Sequence, residues 1–196
     1  HLYRNNLQVL NMLNVKYIIQ KDEDGKSFPA INPDANGNAW FVDQLLPVSS
    51  ADEAIMKLKD FNSKKQAVIN TKTYPTQTKL RFEVDSLANI GLVEYRPDYL
   101  KYKSSNANDG FAVFSEMYYP SGWDAFIDGK PEPHFKVDYA LRGMKVPAGD
   151  HEIEFKFEPQ VIEQGSQIAL AANILLGLIV VGGAGYSLFG RKPKDT

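Results

Sequence analysis

An uninterrupted apolar run near the end of the chain places the strongest limit on how it folds. No charged residue occurs between Glu163 and Arg191. Within this stretch Ile168 to Gly190 forms a run of about 23 residues, and about 20 helical residues are enough to cross the hydrocarbon core of a bilayer. A helix buried in a soluble protein usually keeps a polar face, whereas this run offers only one Asn, one Tyr and one Ser. We therefore predict a single C-terminal transmembrane helix over residues 166–190.

The charges on the two sides of this helix predict its orientation. The tail that follows, residues 191–196, reads RKPKDT and carries Arg191, Lys192 and Lys194, whereas the preceding EFKFEPQVIEQGSQ leans acidic. Basic residues next to a membrane span are enriched on the cytoplasmic side. The sequence therefore predicts a cytoplasmic tail, an extracytoplasmic region over residues 1–165, and the lipid bilayer as a partner.

The overall composition excludes several functional classes. A net charge of −2 and a pI near 6.0 give no electrostatic reason to expect nucleic acid as a partner. The chain has no cysteine, which excludes disulfides, thiolate metal sites and a cysteine nucleophile. Apolar residues make up 43% of the chain, enough for a packed core. The chain starts at His1 with residues that resemble the interior of a protein, and we expect it to be the C-terminal piece of a longer one.

The first 65 residues predict a short α/β segment that packs on or beside the rest. Its expected elements are a helix over 6–14, a strand over 15–20, a polar loop over 21–39, an extended segment over 40–48 and a helix over 51–61. Ser50 and Glu53 have the spacing of a capping box for that last helix.

The region 66–160 has the pattern of a β-sandwich. Seven or eight short runs with alternating apolar residues are separated by turn signals, which is typical of an antiparallel sandwich or barrel. The predicted strands are AVIN, TKLRFEVDS, IGLVEYRP, GFAVFSEMYY, WDAFIDG, PHFKVD, YALRGMKVP and HEIEFKFEP. The predicted fold is therefore mainly β: a jelly-roll-like antiparallel sandwich with a short N-terminal α/β segment and one C-terminal transmembrane helix.

A group of motifs in the second half of the chain resembles one protein family. The motifs are Tyr119, Gly122 and Trp123; Ile127 to Lys130; Tyr139, Ala140, Arg142 and Gly143; and Val146 to Gly149 with His151, supported by LNMLNVKYII and NPDANGNAWFV near the N-terminus. They resemble the C-terminal extracytoplasmic region of the bacterial YfhO family of multi-spanning membrane proteins, directly before a last membrane helix. The resemblance extends over nearly the whole chain.

This resemblance implies a function for the protein from which the chain comes. The family is similar to GT-C-type glycosyltransferases, which take sugar from a polyprenyl-phosphate carrier and hold their catalytic carboxylate in an early extracytoplasmic loop. It thus implies a bacterial cytoplasmic membrane protein in cell-envelope glycan assembly and makes this segment non-catalytic. Partners would be the other transmembrane helices of the parent chain and carbohydrate or lipid-linked sugar. A carbohydrate-binding module and a purely structural lid on the membrane part are the alternatives.

The titratable residues give no separate indication of catalysis or of a metal site. The acidic loops that begin at Asp22 and Asp34 lack the glycine and glutamate positions of a calcium loop. The three histidines have no zinc spacing, and we predict neither metal nor cofactor. Asp124 and Asp128 would lie roughly 13 Å apart on one side of a strand, too far for a carboxylate pair. Asp128 with Gly129 instead predicts a hairpin turn.

Four residues remain as candidate sugar or interface contacts: Trp123, Tyr119, Tyr139 and Arg142. In the strand WDAFIDG, alternation puts Trp123, Ala125 and Ile127 on one side and the acidic residues on the other. Trp123 is therefore either a core residue or an exposed binding or membrane-interface residue. For Arg142 the open alternatives are an ion pair with an acidic neighbour such as Asp138 and a contact with phosphate or sugar.

Overall fold

The computed structural model describes residues 6–189, which form two units. The first, up to Phe157, contains two helices and thirteen strands, and the second, from Glu158, is one long helix. The helices are α1 Leu7–Met12, α2 Ala51–Lys57 and α3 Gln160–Phe189. The strands are β1 Tyr17–Lys21, β2 Ser27–Ile31, β3 Ala39–Val42, β4 Gln44–Val48, β5 Gln66–Asn70, β6 Asn89–Arg96, β7 Tyr99–Asn106, β8 Gly110–Met117, β9 Trp123–Ile127, β10 Lys130–Pro131, β11 His134–Val137, β12 Leu141–Val146 and β13 Gly149–Phe157.

Two large sheets form the sandwich of the first unit. One has the strand order β10-β9-β13-β7-β6, and the other has the order β3-β8-β12-β11-β5-β4. Neighbouring strands are antiparallel except for β4 and β5, which run parallel. The separate hairpin of β1 and β2 lies outside both sheets. The structure thus confirms the predicted mainly β, antiparallel sandwich.

The six-stranded sheet is buried on both faces. The core between the two sheets contains Ala112 and Phe114 of β8 together with Phe155 of β13. On the other face Phe111 and Val113 of β8 join a second core, which α1, α2 and the loop that follows β5 complete. A strand that is buried on both faces has a continuous apolar sequence, as β8 has over its first five residues. The second core is therefore part of the fold of this sheet.

Three local predictions about strands were wrong. The predicted polar loop over 21–39 contains β2, which pairs with β1 across a turn at Asp22–Lys26. The predicted strand TKLRFEVDS makes only one isolated bridge, between Arg81 and Gln44. Two backbone hydrogen bonds form this bridge: the Leu80 oxygen accepts the N–H of Leu45, and the Phe82 N–H donates to the oxygen of Asp43. Conversely, β7 was missed, because only two of its four buried residues, Leu100 and Tyr102, are apolar, while the other two are Ser104 and Asn106.

The N-terminal segment contributes strands to the main sheet. β3 pairs with β8, and β4 pairs with β5, so both belong to the six-stranded sheet. Helix α2 begins at the predicted cap: the Ser50 hydroxyl accepts the Glu53 backbone N–H at 3.1 Å. The Glu53 carboxylate accepts the backbone N–H of Ser49 instead of that of Ser50. The boundary of an N-terminal segment over residues 1–65 that packs on or beside the sandwich stays a prediction; of its four strands, β3 and β4 lie in the six-stranded sheet.

The second unit is an apolar helix. Within α3, the 23 residues of Gln164–Tyr186 have a mean hydropathy of 2.2 and are long and apolar enough to cross a membrane. This agrees with the predicted helix over 166–190. The predicted cytoplasmic tail, with Arg191, Lys192 and Lys194, lies outside the described residues.

The two-sided burial of the sheet predicts that Gly143 of β12 tolerates no side chain. A Cβ atom at this position would lie 2.5 Å from the Phe111 ring and 3.0 Å from Val137. We expect Gly143→Ala to lower the free energy of unfolding by about 1–3 kcal/mol, measured by urea unfolding of the chain in detergent micelles. Gly91→Ala is the control, because Gly91 lies in β6 with open space around it. Equal effects of both changes would contradict this packing.

Candidate functional site

Trp123 and Arg142 are in contact. Arg142 lies on β12, where the register against β8 shifts, and its side chain points to the core between the sheets with only 2% of the residue exposed. The guanidinium carbon lies 4.3 Å from the centre of the Trp123 ring and 5.0 Å from that of Phe155. Planar guanidinium groups stack favourably on aromatic faces, and such contacts gain strength away from water. Arg142 is therefore a buried cation held by two aromatic rings.

The polar contacts of Arg142 are incomplete. Its Nε–H donates to the backbone oxygen of Met117 at 2.9 Å, whereas Nη1 is buried without a hydrogen-bond partner. Burial lowers the pKa of the Arg142 guanidinium. Burial also raises the pKa of the nearby Glu116 carboxyl, and the charge of Arg142 reduces that rise. No ion pair joins Arg142 to Glu116 or Asp138 among the described side chains. The anticipated pairing with Asp138 is thus not formed.

Asp138 has a different role, in the turn that presents Tyr139. Both residues have positive φ values, 48° and 71°, as in the tight turns that join two strands. The Asp138 carboxylate accepts the backbone N–H of Val68 at 2.7 Å, and its own N–H donates to the Val68 oxygen at 2.9 Å. Burial raises the pKa of Asp138 to about 7. These bonds tie the turn to β5 and set Tyr139 beside it.

Tyr119, Trp123 and Phe157 form a second feature, which we call the aromatic patch. Trp123 begins β9 and pairs with Phe157 at the end of β13, and their ring centres lie 5.3 Å apart. The Tyr119 ring lies 6.3 Å from that of Phe157. Tyr119 is 53% exposed, and the other two are half-buried. Gly122 makes this arrangement possible, because a Cβ atom there would lie 2.3 Å from the Phe157 ring.

A cleft of about 450 Å³, here called the tyrosine cleft, opens beside α2 and β5. Its lining includes three tyrosines and one lysine. Of the tyrosines, Tyr139 is 43% exposed. The residues that line it are Ser50, Ala51, Ala54, Val68, Asn70, Thr73, Tyr74, Tyr118, Pro120, Lys136 and Tyr139. None of these side chains is a carboxylate. The cleft thus combines apolar walls with hydroxyl, amide and ammonium groups.

Hydrogen bonds hold two of the three tyrosines of the cleft, Tyr74 and Tyr118, in place. The Tyr74 hydroxyl oxygen accepts the backbone N–H of Lys136 at 3.0 Å, and its ring meets that of Phe135 edge-on at 5.3 Å. Burial and a hydrogen bond with Tyr74 raise the pKa of Tyr118 above its usual value. The Lys136 ammonium lies 5.1 Å above the centre of the Tyr139 ring. These contacts fix the rings of Tyr74 and Tyr118 and place the Lys136 ammonium over the ring of Tyr139.

The sequence-predicted residues fall into these two places. Trp123, Arg142 and Tyr119 lie at or next to the aromatic patch, whereas Tyr139 lies in the tyrosine cleft. Sequence reasoning did not select Tyr74 and Lys136 as site residues. Tyr74 lies in a loop with no periodic pattern, and Lys136 alternates like an ordinary surface strand residue. Only the strand pairing brings them together.

The Asp128–Gly129 pair forms the predicted hairpin turn between β9 and β10. The Asp128 carboxylate lies 2.6 Å from Nδ1 of His151 and accepts the backbone N–H of Glu152 at 3.0 Å. The hydrogen bond with Asp128 is the main reason for the raised pKa of His151, and the same bond lowers the pKa of Asp128. His151 also lies 3.3 Å from the oxygen of Ala148, so it joins two turns. Its role in the structure is to fasten these turns.

Comparison with known proteins identifies the family. The family model described as bacterial membrane protein YfhO matches residues 64–169, more than half of the chain. The chain belongs to the YfhO family. The match confirms the resemblance stated from the motifs and includes both the aromatic patch residues and the tyrosines of the cleft.

A curated YfhO protein gives a weaker match. The "Uncharacterized protein YfhO" of Bacillus subtilis (strain 168) is 27% identical over 86 residues, which are 41% of this chain and 10% of that protein. The matched part thus spans about a tenth of the length of that relative. No solved structure matches this YfhO chain.

The stacking of Arg142 on Trp123 and Phe155 predicts that even a substitution by lysine lowers the stability of the fold. Lysine keeps the charge but loses the planar stack and the Nε–H bond, so we expect Arg142→Lys to lower the free energy of unfolding by about 2 kcal/mol. Arg96→Lys is the matched control: Arg96 stacks on Tyr99 at 4.6 Å, but its side chain is 57% exposed. That change should cost less than about 0.5 kcal/mol. Equal losses in urea unfolding would show that burial of the stack adds nothing.

Proposed function

We propose that this segment is a non-catalytic, extracytoplasmic β-domain that binds carbohydrate for a YfhO-family membrane protein. The parent protein would act in cell-envelope glycan assembly, with transfer of sugar from a polyprenyl-phosphate carrier. The family match and the apolar helix α3 support a membrane protein. The basic tail after α3 supports an extracytoplasmic sandwich. The tyrosine cleft is the observation that carries the proposal of carbohydrate binding.

The tyrosine cleft has the chemistry that a pyranose ring requires. The C–H groups on one face of the sugar are apolar and pack against an aromatic ring, while its hydroxyl groups need hydrogen-bond partners. Tyr139 offers an exposed ring, and Asn70, Thr73 and Tyr118 offer polar atoms around it. The volume of about 450 Å³ lies within the range of small-molecule sites. Lys136 adds a positive charge, which would favour an anionic sugar.

The same cleft supports binding without catalysis. Glycosyl transfer needs a group that accepts or donates a proton near neutral pH, usually a carboxylate. The side chains that line the cleft include no carboxylate. A tyrosine hydroxyl is protonated at neutral pH, and the raised pKa of Tyr118 makes that hydroxyl still less able to act as a base. The cleft can hold a sugar, and the chemistry of transfer would belong to another part of the protein.

At the aromatic patch, Trp123 and Arg142 are less accessible to a sugar than Tyr139 is in the tyrosine cleft. The guanidinium of Arg142 covers a face of the Trp123 ring at 4.3 Å, and Phe157 lies on the same indole at 5.3 Å. Arg142 itself is almost fully buried. Of the four candidate contacts, Tyr139 is the one that lines the tyrosine cleft, and we assign it to the sugar.

Titration with simple sugars tests this function. The full chain in lipid nanodiscs is titrated with methyl glycosides of glucose, galactose, N-acetylglucosamine and glucuronic acid, with saturation-transfer NMR as the readout. We expect saturable binding of at least one sugar in the millimolar range. Tyr139→Ala should weaken it about five- to tenfold, since a lost stacking contact costs about 1 kcal/mol or more.

Tyr95→Ala is the matched control for this titration, because Tyr95 is an exposed tyrosine of β6 outside the cleft. It should leave the affinity unchanged. If no sugar binds saturably, or if both variants weaken binding equally, the cleft is not a carbohydrate site. The structural lid on the membrane part would then be the better description.

A further inference from the structure

The aromatic patch has an unusual position in the chain. Phe157 is the last residue of β13, and α3 begins at Gln160, with only Glu158 and Pro159 between them. The stretch long and apolar enough to span a membrane begins at Gln164. A chain of seven steps reaches about 25 Å at full extension. Covalent linkage alone therefore limits the distance between Phe157 and the start of this stretch to at most about 25 Å.

Two of the three side chains of the aromatic patch, Tyr119 and Trp123, are of the residue types that prefer the interface between water and lipid. Trp and Tyr are enriched there because their rings are apolar and each carries one polar group. Tyr119 is 53% exposed, and the rings of Trp123 and Phe157 are half-buried. The remaining area of the three rings is thus open to a partner.

The patch is also built to keep its rings together at the surface. Trp123 and Phe157 are cross-strand partners, so their backbones are fixed by β9 and β13. Arg142 supports the Trp123 ring from the core side at 4.3 Å. Gly122 leaves the space that the Phe157 ring occupies. Rigid rings lose little conformational entropy when they bind, which favours contact with a surface.

We propose that Tyr119, Trp123 and Phe157 insert into the interfacial layer of the bilayer and fasten the sandwich to the lipid surface. The occupant is the lipid headgroup and upper acyl-chain region, because the short linker before the apolar stretch keeps the patch close to it. This contact does not depend on the tyrosine cleft. The sandwich therefore has two separate surfaces, one for lipid and one for the ligand of the cleft.

Fluorescence of the two tryptophans tests this contact. The full chain is reconstituted into nanodiscs whose phosphatidylcholine carries bromine atoms either near the headgroup, at acyl carbons 6 and 7, or deeper, at carbons 11 and 12. Bromine quenches tryptophan on contact. Trp40 is the internal reference, since it is buried in the second core and its indole N–H donates to the Ser63 oxygen at 2.8 Å.

We expect the wild-type chain to be quenched by brominated lipid, more strongly by the shallow than by the deep label. Trp123→Phe, which leaves only Trp40, should lose at least half of this quenching while its far-UV circular dichroism stays unchanged. Trp40→Phe should keep it. Equal quenching of the wild type and Trp123→Phe, or no quenching at all, would overturn the proposal. If added sugar lowered the fluorescence of Trp123 more than brominated lipid does, the patch would be a carbohydrate contact and the proposal would be wrong.

Discussion

Burial of the six-stranded sheet on both faces is the constraint on which the rest of the sandwich depends. Successive residues of β8 enter two different cores, with Phe111 on one side and Ala112 on the other. This requires a second cover for the sheet, which α1, α2 and the loop after β5 provide. Burial on both faces also brings the side chains of neighbouring strands into close contact. The Phe111 ring of β8, for example, occupies the space next to Gly143 of β12, where a Cβ atom would lie only 2.5 Å from it.

The same constraint explains both candidate surfaces. A strand in a sheet buried on both faces has no solvent side, and Arg142 of β12 is therefore buried with the apolar residues around it. Trp123 and Phe155 stabilise its charge, and Trp123 thereby becomes a fixed part of the aromatic patch. On the opposite face the covering layer is α2 with the loop of Tyr74, and the tyrosine cleft opens where this layer meets the turn at Tyr139.

Sequence reasoning was accurate where the local pattern itself determines the structure. The apolar run predicted α3, the Asp128–Gly129 pair predicted a hairpin turn, and alternation predicted most of the strands. It was inaccurate where the structure depends on a distant partner. β7 has polar residues even on its buried side, at Ser104 and Asn106, and it is a strand because β6 and β13 pair with it. The tyrosine cleft could not be predicted for the same reason, since Tyr74 and Tyr139 meet only through strand pairing and the turn at Asp138.

The proposed function requires that the sandwich lie outside the cytoplasm, and labelling from outside the cell measures this directly. The chain contains no cysteine, so a single one can be introduced at Leu87, which is 85% exposed, or in the tail at Thr196. The protein is produced in the membrane of living bacteria, in a parent chain freed of other cysteines, and treated with a membrane-impermeant maleimide. An extracytoplasmic sandwich predicts labelling of Leu87→Cys in intact cells and of Thr196→Cys only after permeabilisation. The reverse pattern would contradict it.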